Sequence, residues 1–145
     1  MIKILFVCHG NICRSPMAEF ILKDMVNKRN IANNFYIESC AISTEEIGND
    51  IYYLAKEKLI EKNIPFQKRN ARQLTIKDYN EFDYIIGMEE SNIKNILRIF
   101  NKSKDNRVIK LLDIDIDDPW YTRNFEKTYN EIVKGCENLL KSLNY

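Results

Sequence analysis

The chain has 145 residues, of which 30% are charged, and its 22 Lys and Arg residues are almost balanced by 21 Asp and Glu residues. A net charge of +1 excludes an overall field that would attract nucleic acid or an anionic membrane surface. Because no apolar run is long enough to cross a bilayer and no secretory signal is recognisable, we expect one cytoplasmic domain over residues 1–145, monomeric, with no nucleic-acid or membrane partner.

The first predicted element is a buried strand over the apolar run Ile2–Val7. The strand runs into a polar segment that consists of Cys8, His9, Gly10, Asn11, Ile12, Cys13, Arg14, Ser15 and Pro16. Gly10 and Asn11 tolerate positive φ, so this segment is predicted to curl until its backbone N–H groups point at one anion. Ser15 is the expected N-cap, and Pro16 the first residue, of a helix whose positive end faces the same centre.

Cys8 and Arg14 flank this predicted anion site. Converging amides, a helix N-terminus and a guanidinium all favour an ionised thiol, so Cys8 is expected to be a thiolate at neutral pH. Arg14 provides a planar fork that matches two oxygens of a phosphoryl group. The pair therefore predicts attack of a thiolate on phosphorus.

A cysteine followed by five residues, Arg and Ser directly after the first strand resembles the low-molecular-weight protein tyrosine phosphatases. The resemblance implies hydrolysis of a phosphotyrosine-containing protein or a small aryl phosphate, with no cofactor and no metal. It implies that Asn11 props the loop, that His9 lies at the cleft mouth and that Cys13 forms a reversible, protective disulfide with Cys8. A small buried residue is an equally good interpretation of Cys13.

The remaining elements alternate in type along the chain. In chain order they are helix Pro16–Lys28, strand Phe35–Cys40, helix Asp50–Lys62, strand Asp83–Met88, helix Glu89–Ile99, strand Arg107–Leu112 and a helix from Phe125 to the chain end. This alternation predicts an α/β domain with a four-stranded parallel sheet, helices on both faces and a phosphate-binding loop after strand 1.

Three further segments are compared with the family. Ser39 matches a serine that steadies the loop, although it could instead cap its own turn. Glu45 stands where many members carry an aromatic wall of the substrate cleft, and its charge is expected to weaken binding of acidic peptides. Arg69 replaces a histidine that helps to hold the loop asparagine.

The segment Asp113 to Tyr121 resembles, at Asp118 to Tyr121, the family's Asp-Pro-aromatic-Tyr motif. Pro119 is predicted to break regular structure and leave a surface loop. On this match Asp118 is the general acid, while Trp120 and Tyr121 line the substrate cleft. The sequence leaves open whether Asp117 shares the acid role, and a solvated acidic loop is the alternative.

Other functions would use the same residues. Family members directed at phosphoarginine carry threonine in place of Ile12, so phosphotyrosine is favoured. A thiol-dependent arsenate reductase would need extra cysteines near the loop, and residues 80–105 contain none. A metal site is disfavoured because Cys8, His9 and Cys13 have no second histidine to join them. A non-catalytic phosphate-binding module would be expected to lack the nucleophile, the arginine or the acid.

Overall fold

The computed structural model describes residues 1–145. Its strands are β1 (Ile2–Cys8), β2 (Phe35–Ala41), β3 (Tyr84–Gly87) and β4 (Val108–Lys110). Its helices are α1 (Arg14–Lys28), α2 (Tyr53–Glu61), α3 (Ile76–Glu81), α4 (Glu90–Ile99), α5 (Pro119–Thr122) and α6 (Phe125–Ser142), with a 3₁₀ turn at Ala32–Asn34. All strand pairs are parallel and the order is β2-β1-β3-β4, which confirms the predicted α/β class.

The sheet separates two apolar layers. Ile4 and Phe6 of β1 pack into the layer that contains α1 and α6, whereas Leu5 and Val7 pack into the layer that contains α4. Because helices cover both faces, both sides of β1 are buried, and this explains its continuous apolar run. None of the helices combines the length and apolarity needed to cross a bilayer.

The strand order positions the site. β2 lies on one side of β1 and β3 on the other, so the connections that leave β1 and β3 diverge at their carboxyl ends. Parallel α/β sheets form their ligand crevice at this kind of point. Cys8 is the last residue of β1 and therefore opens into that crevice.

Two helix starts differ from the sequence-based prediction. α2 begins at Tyr53 rather than Asp50, because the Asp50 carboxylate accepts hydrogen bonds from the backbone N–H groups of Ile51 (2.7 Å) and Arg69 (3.2 Å) and holds this segment outside the helix. α1 begins at Arg14, so Ser15 is not its N-cap.

Two short helices, α3 and α5, are absent from the sequence-based prediction. α3 is too short to show a periodicity, and its start is fixed by a capping box between Thr75 and Asp78. Pro119 does not leave an irregular loop: it is the first residue of α5, where its missing N–H costs nothing, and Asp118 is the N-cap.

Candidate active site

A cavity of about 130 Å³ lies above the loop that joins β1 to α1. It is lined by Cys8, His9, Gly10, Ile12, Cys13, Arg14, Glu45, Glu46, Asp118, Trp120 and Tyr121. A larger groove of about 510 Å³ runs beside α1 and the edge of β2, but it contains no cysteine and no arginine. The residues predicted for nucleophile, anion binding and acid catalysis thus meet in the smaller cavity.

Asn11 sets the conformation of the phosphate-binding loop, residues 8–15. It is fully buried and has a φ of 60°, whereas Gly10, also predicted to allow positive φ, does not use this freedom. The Asn11 side-chain amide donates to the Ser15 hydroxyl at 2.7 Å and to the Ser39 hydroxyl at 2.9 Å. Asparagine tolerates this left-handed conformation because its short polar side chain bonds locally.

Arg69 contacts both oxygens of Asn11. Its Nη2 donates to the Asn11 backbone carbonyl at 2.7 Å and also to the Asn11 side-chain oxygen. Its Nη1 donates to the carbonyl of Asn49 at 3.3 Å. Burial lowers the pKa of Arg69, although Glu19 opposes that change. Arg69 therefore ties the loop to the segment that precedes α2.

Two hydrogen-bonding groups contact the sulfur of Cys8. The backbone N–H of Asn11 donates to Sγ at 3.3 Å, and the Ser15 hydroxyl lies 3.0 Å from it. Cys8 is only 3% exposed, so these groups replace water as partners of the sulfur. The structure therefore places two hydrogen-bonding groups directly at the sulfur.

Arg14 is a buried cation held by three groups. Its Nη1 donates to the carbonyl of Ile116 at 2.8 Å and lies 3.0 Å from Oε2 of Glu89, and its Nη2 lies 3.4 Å from Oδ2 of Asp118. Burial alone would lower the pKa of Arg14, but the nearby Cys8, Asp118 and Glu89 raise it above its ordinary value. The guanidinium is therefore a fixed positive charge at the bottom of the cavity.

Asp118 lies at the start of α5. Its Oδ1 accepts a hydrogen bond from the backbone N–H of Trp120 at 3.0 Å, while Oδ2 faces Arg14. Asp117 turns elsewhere and pairs with Lys127 at 3.1 Å. Only Asp118 of these two carboxylates lines the cavity.

The mouth of the cavity is polar on one side and aromatic on another. His9 Nε2 lies 3.3 Å from Glu45 Oε2, and both side chains are more than half exposed. Trp120 and Tyr121 are 41% and 80% exposed. Cys13 lies deeper, where burial raises the pKa of its thiol well above the ordinary value.

Sequence reasoning missed Glu89 and Ile116. Glu89 follows β3 by two residues, at the carboxyl end of a strand next to β1, and this position was an available signal. Ile116 accepts a hydrogen bond from Arg14 through its backbone carbonyl, and the identity of a side chain does not predict such a contact. No group of three or more His, Cys, Asp and Glu residues is arranged to hold a metal ion.

Glu19 was also missed. This glutamate of α1 is only 8% exposed, and its Oε1 accepts a hydrogen bond from the Ser39 hydroxyl at 2.6 Å. Its Oε2 pairs with Lys23 at 2.6 Å. Ser39 therefore connects Glu19 to Asn11 and does not cap its own turn.

Comparisons with known proteins assign the chain to one family. The family model described as low molecular weight phosphotyrosine protein phosphatase matches residues 3–145. The low molecular weight protein-tyrosine-phosphatase YfkJ of Bacillus subtilis is 39% identical over 99% of this chain and 96% of its own length.

Solved structures agree as well. The crystal structure of YfkJ superposes with a TM-score of 0.95, at 38% identity over 99% of this chain and 95% of that one. A low molecular weight protein tyrosine phosphatase from Streptococcus pyogenes has a TM-score of 0.93 and 41% identity, and covers 99% and 93% of the two chains. The chain belongs to the low molecular weight phosphotyrosine protein phosphatase family.

Proposed function

We propose that this protein-tyrosine phosphatase hydrolyses aryl phosphomonoesters, phosphotyrosine above all, through a phosphocysteine on Cys8. The observation that carries the proposal is the meeting of Cys8, Arg14 and Asp118 in one cavity of about 130 Å³. A thiol nucleophile, a fixed cation and a carboxyl group are the three parts that such a reaction requires.

In the first step the Cys8 sulfur attacks phosphorus and the bond to the phenolic oxygen breaks. Arg14 and the loop N–H groups bind the equatorial oxygens, on which negative charge is held in the transition state. The Asp118 carboxyl group, protonated in the substrate complex, donates its proton to the departing phenolate oxygen. The products of this step are phosphocysteine and the free phenol.

In the second step a water molecule attacks the same phosphorus atom. The Asp118 carboxylate accepts the proton of this water, the sulfur–phosphorus bond breaks and inorganic phosphate is released. The Ser15 hydroxyl, 3.0 Å from Sγ, stabilises the returning thiolate. A free thiolate nucleophile is maintained by a reducing compartment, which supports a cytoplasmic location.

The cavity walls support an aryl rather than a guanidino leaving group. Ile12, Trp120 and Tyr121 offer apolar surface beside the phosphate position. Aromatic and aliphatic side chains favour contact with a flat, uncharged ring, and a phenol ring is far less polar than a guanidinium. Paired peptides that carry phosphotyrosine or phosphoarginine in the same sequence test this preference directly.

The decisive experiment measures hydrolysis of para-nitrophenyl phosphate and of both peptides by wild type, Cys8→Ser and Cys136→Ala. Cys136 is a buried thiol on α6 outside the cavity and serves as the matched control. We expect activity in wild type and Cys136→Ala, no turnover by Cys8→Ser, and a phosphoenzyme that can be trapped by acid quench only when Cys8 is present. Turnover by Cys8→Ser would disprove the mechanism, and a higher kcat/KM for phosphoarginine would disprove the aryl preference.

A further inference from the structure

Arg123 forms part of an aromatic and cationic edge of the cleft. It follows α5 with a φ of 60°, and its Nη1 donates to the hydroxyl of Tyr52 at 2.8 Å. The centre of its guanidinium lies 5.5 Å from the ring centroid of Tyr52 and 5.6 Å from that of Trp120. We call Tyr52, Trp120 and Arg123 the cationic edge, because these contacts hold a charged group at a defined place.

The charge of Arg123 is available to a ligand. Its side chain is exposed, and no carboxylate lies within salt-bridge distance of it, whereas Arg14, Arg72 and Arg107 are all paired with acids. Trp120, on which it stacks, lines the catalytic cavity. Burial raises the pKa of the Cys13 thiol, and the positive charges of Arg14 and Arg123 oppose that rise.

The other edge of the cleft has the opposite charge. Glu45 and Glu46 line the cavity beside His9, and we call these three residues the acidic edge. Glu45 and Glu46 belong to the segment after β2, which is held to the loop of His9 by a hydrogen bond from the Ser43 N–H to the His9 carbonyl at 2.9 Å. Glu46 lies beside Gly10: a Cβ built on Gly10 would lie 3.4 Å from Cγ of Glu46, an ordinary contact distance.

The two edges meet different parts of the loop. Glu45, Glu46 and Tyr52 all lie between β2 and α2, whereas Trp120 and Arg123 lie after β4. The acidic edge meets the first half of the loop, where the Ser43 N–H donates to the His9 carbonyl, and the cationic edge meets the second half, where the Tyr52 N–H donates to the Ile12 carbonyl at 2.9 Å. A peptide that places its phosphotyrosine over Cys8 therefore has groups of opposite charge near different parts of the loop.

We propose that the cleft selects phosphotyrosine peptides by a charge pair: an acidic side chain on one side of the phosphotyrosine binds at the cationic edge, and a basic side chain on the other side binds at the acidic edge. This inference rests on the proposed function. It assigns to Arg123, Glu45 and Glu46 a role in substrate choice and none in the chemical step. The chemical class of substrate is a phosphotyrosine segment with unlike charges on its two flanks.

The test uses four phosphotyrosine peptides of one backbone sequence, with Glu before and Lys after the phosphotyrosine, the reverse order, Glu on both sides, and neutral flanks. One of the two mixed peptides is expected to have the highest kcat/KM, about two- to five-fold above the neutral peptide, as is typical of exposed charge pairs. This preference is expected to fall at ~0.5 M salt, because exposed charges are then screened within a few ångströms.

Arg123→Gln is expected to remove the preference on the acidic flank alone, and Arg123→Lys to restore part of it. Glu45→Gln combined with Glu46→Gln is expected to remove the preference on the basic flank alone. Arg29→Gln is the matched control, since Arg29 is an exposed arginine without a carboxylate partner, about 22 Å from the loop at the far end of the 15-residue helix α1.

The outcomes separate this inference from the catalytic proposal. Equal kcat/KM for all four peptides, or an Arg123→Gln effect that is the same for neutral and charged peptides, would overturn the charge selection and leave Arg123 a structural brace. para-Nitrophenyl phosphate carries no flanking residues, so its hydrolysis by wild type reports on the proposed chemistry and not on charge selection. Failure of wild type to hydrolyse that substrate would instead overturn the proposed function.

Discussion

Nη2 of Arg14 lies 3.4 Å from Oδ2 of Asp118, and this contact joins two distant parts of the chain. Arg14 is the first residue of α1, six residues after the end of β1, whereas Asp118 precedes α5, beyond the last strand. A phosphoryl group that binds Arg14 is thereby brought next to a carboxyl group. Acid catalysis by Asp118 can therefore be tested by substituting that residue alone.

Asp118→Asn is expected to lower kcat by about 10² to 10⁴, the usual contribution of a positioned general acid. The loss should be largest for phenols that are poor leaving groups, because these depend most on protonation. Steady-state kinetics with a series of aryl phosphates measures this trend. Asp117→Asn is the control and is expected to stay within about twofold of wild type, since Asp117 pairs with Lys127 outside the cavity.

Glu89→Gln is expected to lower kcat/KM roughly tenfold. The carboxylate of Glu89 holds one arm of the Arg14 fork at 3.0 Å, and loss of a hydrogen bond between charged groups costs about 1.5 kcal/mol. Competitive inhibition by inorganic phosphate should weaken in parallel. Glu90→Gln changes the neighbouring, exposed carboxylate, which has no salt-bridge partner, and should leave both quantities unchanged. An equal effect of the two substitutions would contradict the orienting role.

Arg69→Ala is expected to destabilise the phosphate-binding loop. It removes the bonds to both oxygens of Asn11, worth about 2 kcal/mol together after allowance for partial exposure, which corresponds to a fall in Tm of roughly 4–8 °C. Thermal unfolding and kcat/KM should fall together, and Arg69→His should recover part of both. Lys68→Ala, at the exposed neighbouring position, is expected to change neither.

Lys23→Met is expected to lower kcat/KM about threefold, whereas Lys28→Met should not. Both lysines pair at i,i+4 with an acid of α1, Lys23 with Glu19 at 2.6 Å and Lys28 with Asp24 at 2.8 Å, so the two losses of stability should be similar and small. Of the two acids, only Glu19 is connected to Asn11, through hydrogen bonds of the Ser39 hydroxyl. Equal activities of the two variants would show that Lys23 does not support the loop.

Stability is expected to fall above about pH 9. Burial raises the pKa of Cys13, Cys40 and Cys136, so the unfolded chain ionises these thiols near their ordinary value of 9.0 while the folded chain keeps them neutral. A raised folded pKa contributes stability that is complete below the unfolded pKa and is lost as the pH rises above it. Ionisation of each thiol in the unfolded chain lowers the free energy of unfolding by about 1.4 kcal/mol between about pH 8 and pH 10.

Urea unfolding of wild type and Cys136→Ala at those two pH values measures this loss. Cys136 is fully buried on α6, outside the cavity, so its contribution is separate from the catalytic groups. The variant should lose about 1.4 kcal/mol less than wild type over the same interval. An identical pH dependence would show that the Cys136 thiol does not titrate in this way.

The fold class was predictable because its signals are local. The apolar run of β1 and the helical spacing of apolar residues in α1, α4 and α6 can each be read from a few consecutive residues. The alternation of strands and helices along the chain then predicts a parallel sheet with helices on both faces. The start of α2 was wrong because Asp50 bonds to Arg69, a residue far along the chain. α3 is a single short segment whose capping box gives no periodic signal.

By itself, the sequence determined the strand and the loop that carry Cys8 and Arg14, since these two residues are close along the chain and their signals are local, although it did not determine the exact helix start. Only the tertiary structure decided which distant groups complete the site. Glu89 and the carbonyl of Ile116 reach Arg14, and Arg123 reaches the cleft edge, because the order of the strands brings the connections after β3 and β4 beside the loop after β1. Contacts of this kind depend on how apolar faces pack across the whole chain, and no short stretch of residues contains that information.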